Sequence, residues 1–104
     1  MPDSCSIACR SVILCGIETQ ACVHHTTLDL LQLGYDVHLP VDCVSSRSAT
    51  DRVWGLQRLR DSGAFLTTCE AVILSLAPDA AHPQFRGIQK IVMESAADTG
   101  LLAT

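Results

Sequence analysis

Three observations predict a parallel α/β fold for this chain. Apolar runs of strand length alternate with stretches of helical periodicity, and glycine, serine or proline marks each junction. The 104 residues, 48% hydrophobic and 17% charged, suffice for one packed domain or part of one, and no linker or repeat divides residues 1–104. Parallel neighbours need long crossovers, which are right-handed in nearly every known case, so three consecutive strands side by side put their helices on one face. The first run, however, is apolar without alternation, which is the pattern of a strand buried on both sides. The predicted architecture is therefore half of a doubly wound, three-layer α/β/α sheet, cut to about three βα units. A small two-layer fold in which that run is simply a buried strand is the alternative.

Each element has a local reason. Residues 11–17 (SVILCGI) form the first strand, ending near Gly16. Thr19 can cap the helix that follows, whose face carries Val23, Thr26, Thr27, Leu30 and Leu31, with His25, Asp29 and Gln32 opposite and Gly34 as the stop. Residues 35–41 (YDVHLPV) read as the second strand, and Pro40, which has no ladder donor, marks its carboxyl end. After a turn at 45–48, Ser48 with Asp51 three residues on opens a helix through Val53, Trp54, Leu56 and Leu59 to Asp61, stopped by Ser62 and Gly63. Trp54 reads as a core or interface residue. Residues 64–68 (AFLTT) are the third strand and 70–76 a short helix broken by Pro78. Pro83 opens a last amphipathic helix through Phe85, Ile88, Ile91 and Val92, and the tail after Glu94 frays.

Charge and hydropathy restrict the partners. Seven basic against eleven acidic residues give a net charge of -4, so no basic footprint exists for a phosphate backbone, and nucleic acid is not expected. Apolar stretches such as 12–15 and 71–74 fall far short of the roughly 20 residues that span a bilayer, so no membrane partner is expected either. The first ten residues, with Asp3 and a single Arg10, fit neither a secretory signal nor a transit peptide. The expected compartment is the cytoplasm, with nucleus and mitochondrion left open.

Six cysteines in a chain rich in periodic segments read as free thiols rather than a disulfide scaffold. Cys5 and Cys9 lack a second pair to complete a zinc set, and Cys15, Cys43 and Cys69 sit in or beside apolar runs, where a thiol behaves as a small buried hydrophobe. Cys22 differs, because it opens a helix after a strand and a glycine turn, at the carboxyl edge where open α/β sheets place their active sites. The N–H groups and partial positive charge there favour thiolate over thiol, and the same groups can hold an oxyanion. By position alone, Cys22 is either a nucleophile or a buried structural cysteine. His24 and His25 are adjacent and point about 100 degrees apart, so they do not chelate one metal. His25 lies one turn from Cys22 and could serve as its base, although a surface role suits the helix direction better. Asp42 either caps the turn after the second strand or lies on the rim of the site, and capping is preferred.

The string Gly16-Ile17-Glu18-Thr19-Gln20-Ala21-Cys22-Val23 resembles the nucleophile motif of the isochorismatase-like hydrolases, the cysteine hydrolase superfamily that includes nicotinamidases and carbamoylases. The likeness continues through TTLDLLQLGYDVHLPVDCVSSRSATDR, SGAFLTTCEAVIL and HPQFRGIQK, and covers roughly residues 11–103. It implies the family's Rossmann-like fold, with Cys22 as nucleophile, a cis peptide bond between Ile17 and Glu18, and an oxyanion hole from the backbone N–H groups of Glu18 and Cys22. It implies no cofactor and no metal on these residues, because the family's metal ligands lie upstream of this segment.

The family's nucleophile works with an Asp and a Lys, both upstream of the cysteine motif. Only 21 residues precede Cys22 here; Asp3 has no strand around it, and the sole lysine, Lys90, lies downstream on the last helix. Neither is assigned to the triad, and the chain reads as the C-terminal half of a family member. Isochorismatase proper, which splits a vinyl ether, has no cysteine at this position, so the resemblance implies attack on a small amide or related carbonyl through a thioester. The competing expectation is an inactive piece or isoform that acts through association with its own kind or another protein, because an uncovered apolar face binds or aggregates. A third is a redox role for Cys22 with Cys15 or Cys43 as its resolving partner. The substrate is not legible in these residues.

Overall fold

The computed structural model describes residues 9–76 and 85–92. Three parallel strands form one sheet in chain order: β1 (Ser11–Ile13), β2 (Asp36–Pro40) and β3 (Phe65–Thr67). A π-helical turn at Thr19–Val23 leads into α1 (His24–Gln32), which carries the chain from β1 to β2; α2 (Ala49–Asp61) carries it from β2 to β3. Then come α3 (Cys69–Leu76) and α4 (Phe85–Val92). This is the α/β class that the alternating pattern predicts, with the strands adjacent in sequence order.

The helix ends follow from local chemistry. Ser48 caps α2: its Oγ accepts the Asp51 amide at 3.1 Å and its hydroxyl donates to the Asp51 carboxylate at 2.9 Å. Gly34 and Gly63 take φ of +90° and +114°, a region that costs other residues dearly, and so end α1 and α2. After each glycine the amide of the next residue reaches back over the last turn, Tyr35 to the Leu30 carbonyl and Ala64 to the Leu59 carbonyl, both at 3.0 Å. Because Leu59 and Ala64 are themselves core residues, the stop of α2 is also its entry into β3.

The core lies on one side of the sheet. Val37 and Leu39 of β2, Ala64 before β3, Val44, Val23 and Leu30 of the first crossover, and Leu56 and Leu59 of α2 make one buried cluster, with Val12, Leu14 and Leu66 packed against it. Burying each such Val or Leu side chain contributes about 1.5–3 kcal/mol. On the other side the register aligns Ile13, His38 and Phe65 in one row across the three strands. Ile13 is 50% and Phe65 52% exposed, and the Phe65 ring stacks on His38 with centroids 5.1 Å apart. Among the described residues no helix covers this row.

The structure corrects several expectations. The 11–17 run pairs as a strand only over Ser11–Ile13, and its exposure alternates residue by residue instead of staying buried on both faces. The reason is visible in its partner: after Pro40 the chain winds into a 3-10 turn, Val41–Cys43, and pairing resumes only at an isolated bridge between Gly16 and Val44. The second and third strands lose the end residues expected at 35, 41, 64 and 68, and the third helix begins one residue earlier, at Cys69. Trp54 is 63% exposed and lies outside the core, because α2 turns Leu56 and Leu59 to the sheet. Thr26 is exposed as well, whereas Thr27 lies in the buried stripe as predicted, donating to the Val23 carbonyl at 2.7 Å. The frayed tail and the breaks at Pro78 and Pro83 lie outside the described residues.

Candidate active site

The turn that carries Cys22 is tied to the segment after β2. Gly16 donates to the Cys43 carbonyl at 3.3 Å and accepts from the Ser45 amide at 3.0 Å. A Cβ at Gly16 would lie 2.7 Å from Cγ2 of buried Val23, so only glycine lets the helix start close back over the strand end. Thr19 is fully buried and does not cap the helix as expected. Its amide and its hydroxyl both donate to the Ser45 carbonyl, at 2.9 and 2.8 Å, which fixes the turn to the neighbouring loop rather than to its own helix. Glu18 takes the cap position with φ −131° and ψ 88°, and its carboxylate accepts from the Gln20 amide side chain at 2.7 Å. From the far side, Gly55 of α2 approaches close enough that a Cβ there would sit 3.2 Å from the Thr19 methyl.

The Glu18 carbonyl accepts the amides of Ala21 at 3.1 Å and Val23 at 3.3 Å, the second bond opening the helix to its π-helical width. Such wide turns are rare and occur frequently at functional sites. Cys22 lies inside this turn with its side chain exposed, and its thiol donates to the same Glu18 carbonyl at 3.8 Å. Among the described residues nothing buries the Cys22 thiol. What the arrangement offers is an accessible sulfur in the first turn of a helical run, at the carboxyl end of β1, where the helix dipole is positive.

The Ile17–Glu18 peptide bond departs from the expectation, since no peptide bond among the described residues is cis. A trans bond is favoured by about 2.5–4 kcal/mol at a non-proline residue unless surrounding packing holds the other form. Ile17 is 76% exposed, so little packing is present to hold it.

Among the described residues none of the other candidates is hydrogen-bonded to the Cys22 thiol, which donates to the Glu18 carbonyl. His24 and His25 stack edge to face, with centroids 5.4 Å apart, and His25 is exposed. Lys90 is exposed on α4. Asp42 does cap, although not the turn that follows it: its Oδ1 accepts the amide of Cys69, the first residue of α3, at 2.9 Å. The same oxygen accepts from the Cys43 thiol at 3.8 Å. Burial, then the neighbouring Cys69 and the Asp42 carboxylate, push the Cys43 thiol up from 9.0 to about 11. Cys69 and Cys15 are the thiols that act on Cys43, while the Cys22 thiol bonds the Glu18 carbonyl. Sequence reasoning also missed Arg52, which bends back from α2 to donate to the Val41 carbonyl at the end of β2. Pairings across 11 or 27 residues leave no signal in a local pattern.

A three-stranded parallel sheet with helical crossovers, and an exposed thiol at the helix start after its first strand, defines a parallel α/β protein. The isochorismatase domain matches residues 5–71, and the chain belongs to that family. It is 61% identical over 94 residues to isochorismatase domain-containing protein 2 of Xenopus laevis, covering 90% of this chain and 46% of that protein. The human protein of the same name is 60% identical over 93 residues, covering 89% and 45%. The solved MAR1 ribonuclease of Caenorhabditis elegans superposes with a TM-score of 0.86 at 49% identity, covering 91% of this chain and 50% of that one. The chain thus spans about half the length of the relatives it matches.

Proposed function

We propose that this segment supplies the nucleophile of a hydrolase acting on a small amide or related carbonyl, and that Cys22 is that nucleophile. The observation that carries the reading is the exposed Cys22 thiol in the first turn of the helical run after β1, in a chain of the isochorismatase family. The thiolate attacks the carbonyl carbon, the amides of Glu18 and Cys22 steady the oxyanion, the C–N bond breaks as the amine takes a proton, and water cleaves the thioester. The reading assigns no cofactor and no Asp or Lys of this chain to the triad. It sets the protein in the cytoplasm, where thiols stay reduced.

The test uses the domain completed to the length of its relatives. Ammonia or amine release from a panel of small amides is compared between parent and Cys22→Ala, with circular dichroism as the control for folding. Loss of turnover by roughly three orders of magnitude or more is expected; turnover at the parent rate discards the nucleophile.

A second reading is favoured by one observation. The uncovered row Ile13, His38 and Phe65 supports a reading of this chain as an associating module. Gel filtration distinguishes it: a monomer with cooperative unfolding speaks against association. Ribonuclease action, the activity in the name of the Caenorhabditis elegans structure, is disfavoured for this segment by its net charge of -4.

A further inference from the structure

Outside the Cys22 turn, thiols gather at the carboxyl ends of β2 and β3. The pairing of Pro40 with Thr67 makes these strand ends neighbours, and Cys43 and Cys69 follow them by three and two residues. Adjacent strands lie about 4.8 Å apart, and a disulfide spans Cα separations of roughly 4.4–6.8 Å. One oxygen links the two residues: Asp42 Oδ1 accepts the Cys69 amide at 2.9 Å and the Cys43 thiol at 3.8 Å. The first turn of α3 is further fixed by Thr68, whose hydroxyl oxygen accepts the Ala71 amide at 3.1 Å, and α3 packs on the 3-10 turn that contains Cys43. Both cysteines are half-buried, which leaves them within reach of a small oxidant. Among the described residues no three His, Cys, Asp or Glu side chains are set to hold a metal ion, so the grouping points to sulfur chemistry rather than to a metal.

We propose that Cys43 and Cys69 form a redox pair that a hydroperoxide closes into a disulfide, clamping α3 to the end of β2. Cys69 is the attacking sulfur. Its thiolate takes the distal oxygen of the hydroperoxide, the O–O bond breaks, and the departing alkoxide leaves as alcohol after gaining a proton. The resulting sulfenic acid is attacked by Cys43, which gives up its proton as the S–O bond breaks and water departs. Two thiols are oxidised to one disulfide, and one hydroperoxide is reduced to alcohol and water. The order of events suits the surroundings: burial first, then the neighbouring Cys69 and the Asp42 carboxylate, keep the proton on the Cys43 thiol up to about 11, and oxidation of Cys69 removes that neighbour's contribution.

The test treats the chain, carrying Cys22→Ala to silence the exposed thiol, with a slight excess of hydrogen peroxide, blocks remaining thiols with N-ethylmaleimide and reads intact mass. Expected is a product with two fewer alkylatable thiols per chain, reversed by dithiothreitol, that forms equally with Cys15→Ser added. Adding Cys43→Ser or Cys69→Ser abolishes it, and with Cys43→Ser a dimedone adduct accumulates on Cys69. A bridge that survives either substitution, a bridge that disappears with Cys15→Ser, or oxidation that leaves the thiol count unchanged overturns the proposal.

Discussion

The two faces of the sheet carry similar side chains and meet different surroundings. On one, Val37 and Leu39 of β2 are fully buried beneath α1 and α2; on the other, Ile13 and Phe65, as apolar as their counterparts, remain about half exposed beside His38. The comparison teaches that hydrophobicity records what a strand is suited to meet, whereas burial depends on which elements the chain brings to it. Residues 12–17 carry no charged or polar side chain, yet the exposure of 11–17 alternates with the strand period of two, because among the described residues helices cover only one side.

Substitutions on the two faces should separate by free energy. Leu59→Ala, which empties a fully buried position under the sheet, is expected to lower unfolding stability by about 2–5 kcal/mol in urea titration. A loss below about 1 kcal/mol would mean that the covered face is not a packed core. Gly16→Ala forces a methyl against Val23 and should cost about 1–3 kcal/mol, because Val23 is itself buried and has little room to yield. Unchanged stability would show that the strand end and the helix start do not close as tightly as the structure has them. Phe65→Ser, on the uncovered face, should shift unfolding by no more than about 0.5 kcal/mol while reducing self-association in sedimentation. A cost as large as that of Leu59→Ala would erase the distinction between the faces.

What could be read in advance was local. The strand order, the Ser48–Asp51 cap and the two glycine stops depend on a few neighbouring residues and emerged as the pattern predicts. Thr19 shows where that logic fails: it occupies a capping position, but the Ser45 carbonyl, brought alongside by the sheet, takes both its donors. Asp42 is similar, since a residue after a strand is expected to cap the next turn and instead reaches the start of α3. The position of Cys22 at the helix start was legible from a strand, a glycine and a helix start; its exposure and the π-helical width of its turn required the fold. The grouping of Cys15, Cys43 and Cys69 was invisible because each follows a different strand.

The claim that Cys22 is the reacting sulfur can be tested without a substrate. Cys9 and Cys15 are exposed as well, and neither lies in the first turn of a helix, so they are internal controls for accessibility. Substoichiometric iodoacetamide at neutral pH, followed by peptide mapping, should alkylate Cys22 well before either of them. Equal labelling of the three thiols, or earlier labelling of Cys9 or Cys15, would show that the helix start gives Cys22 no special reactivity and would contradict the account.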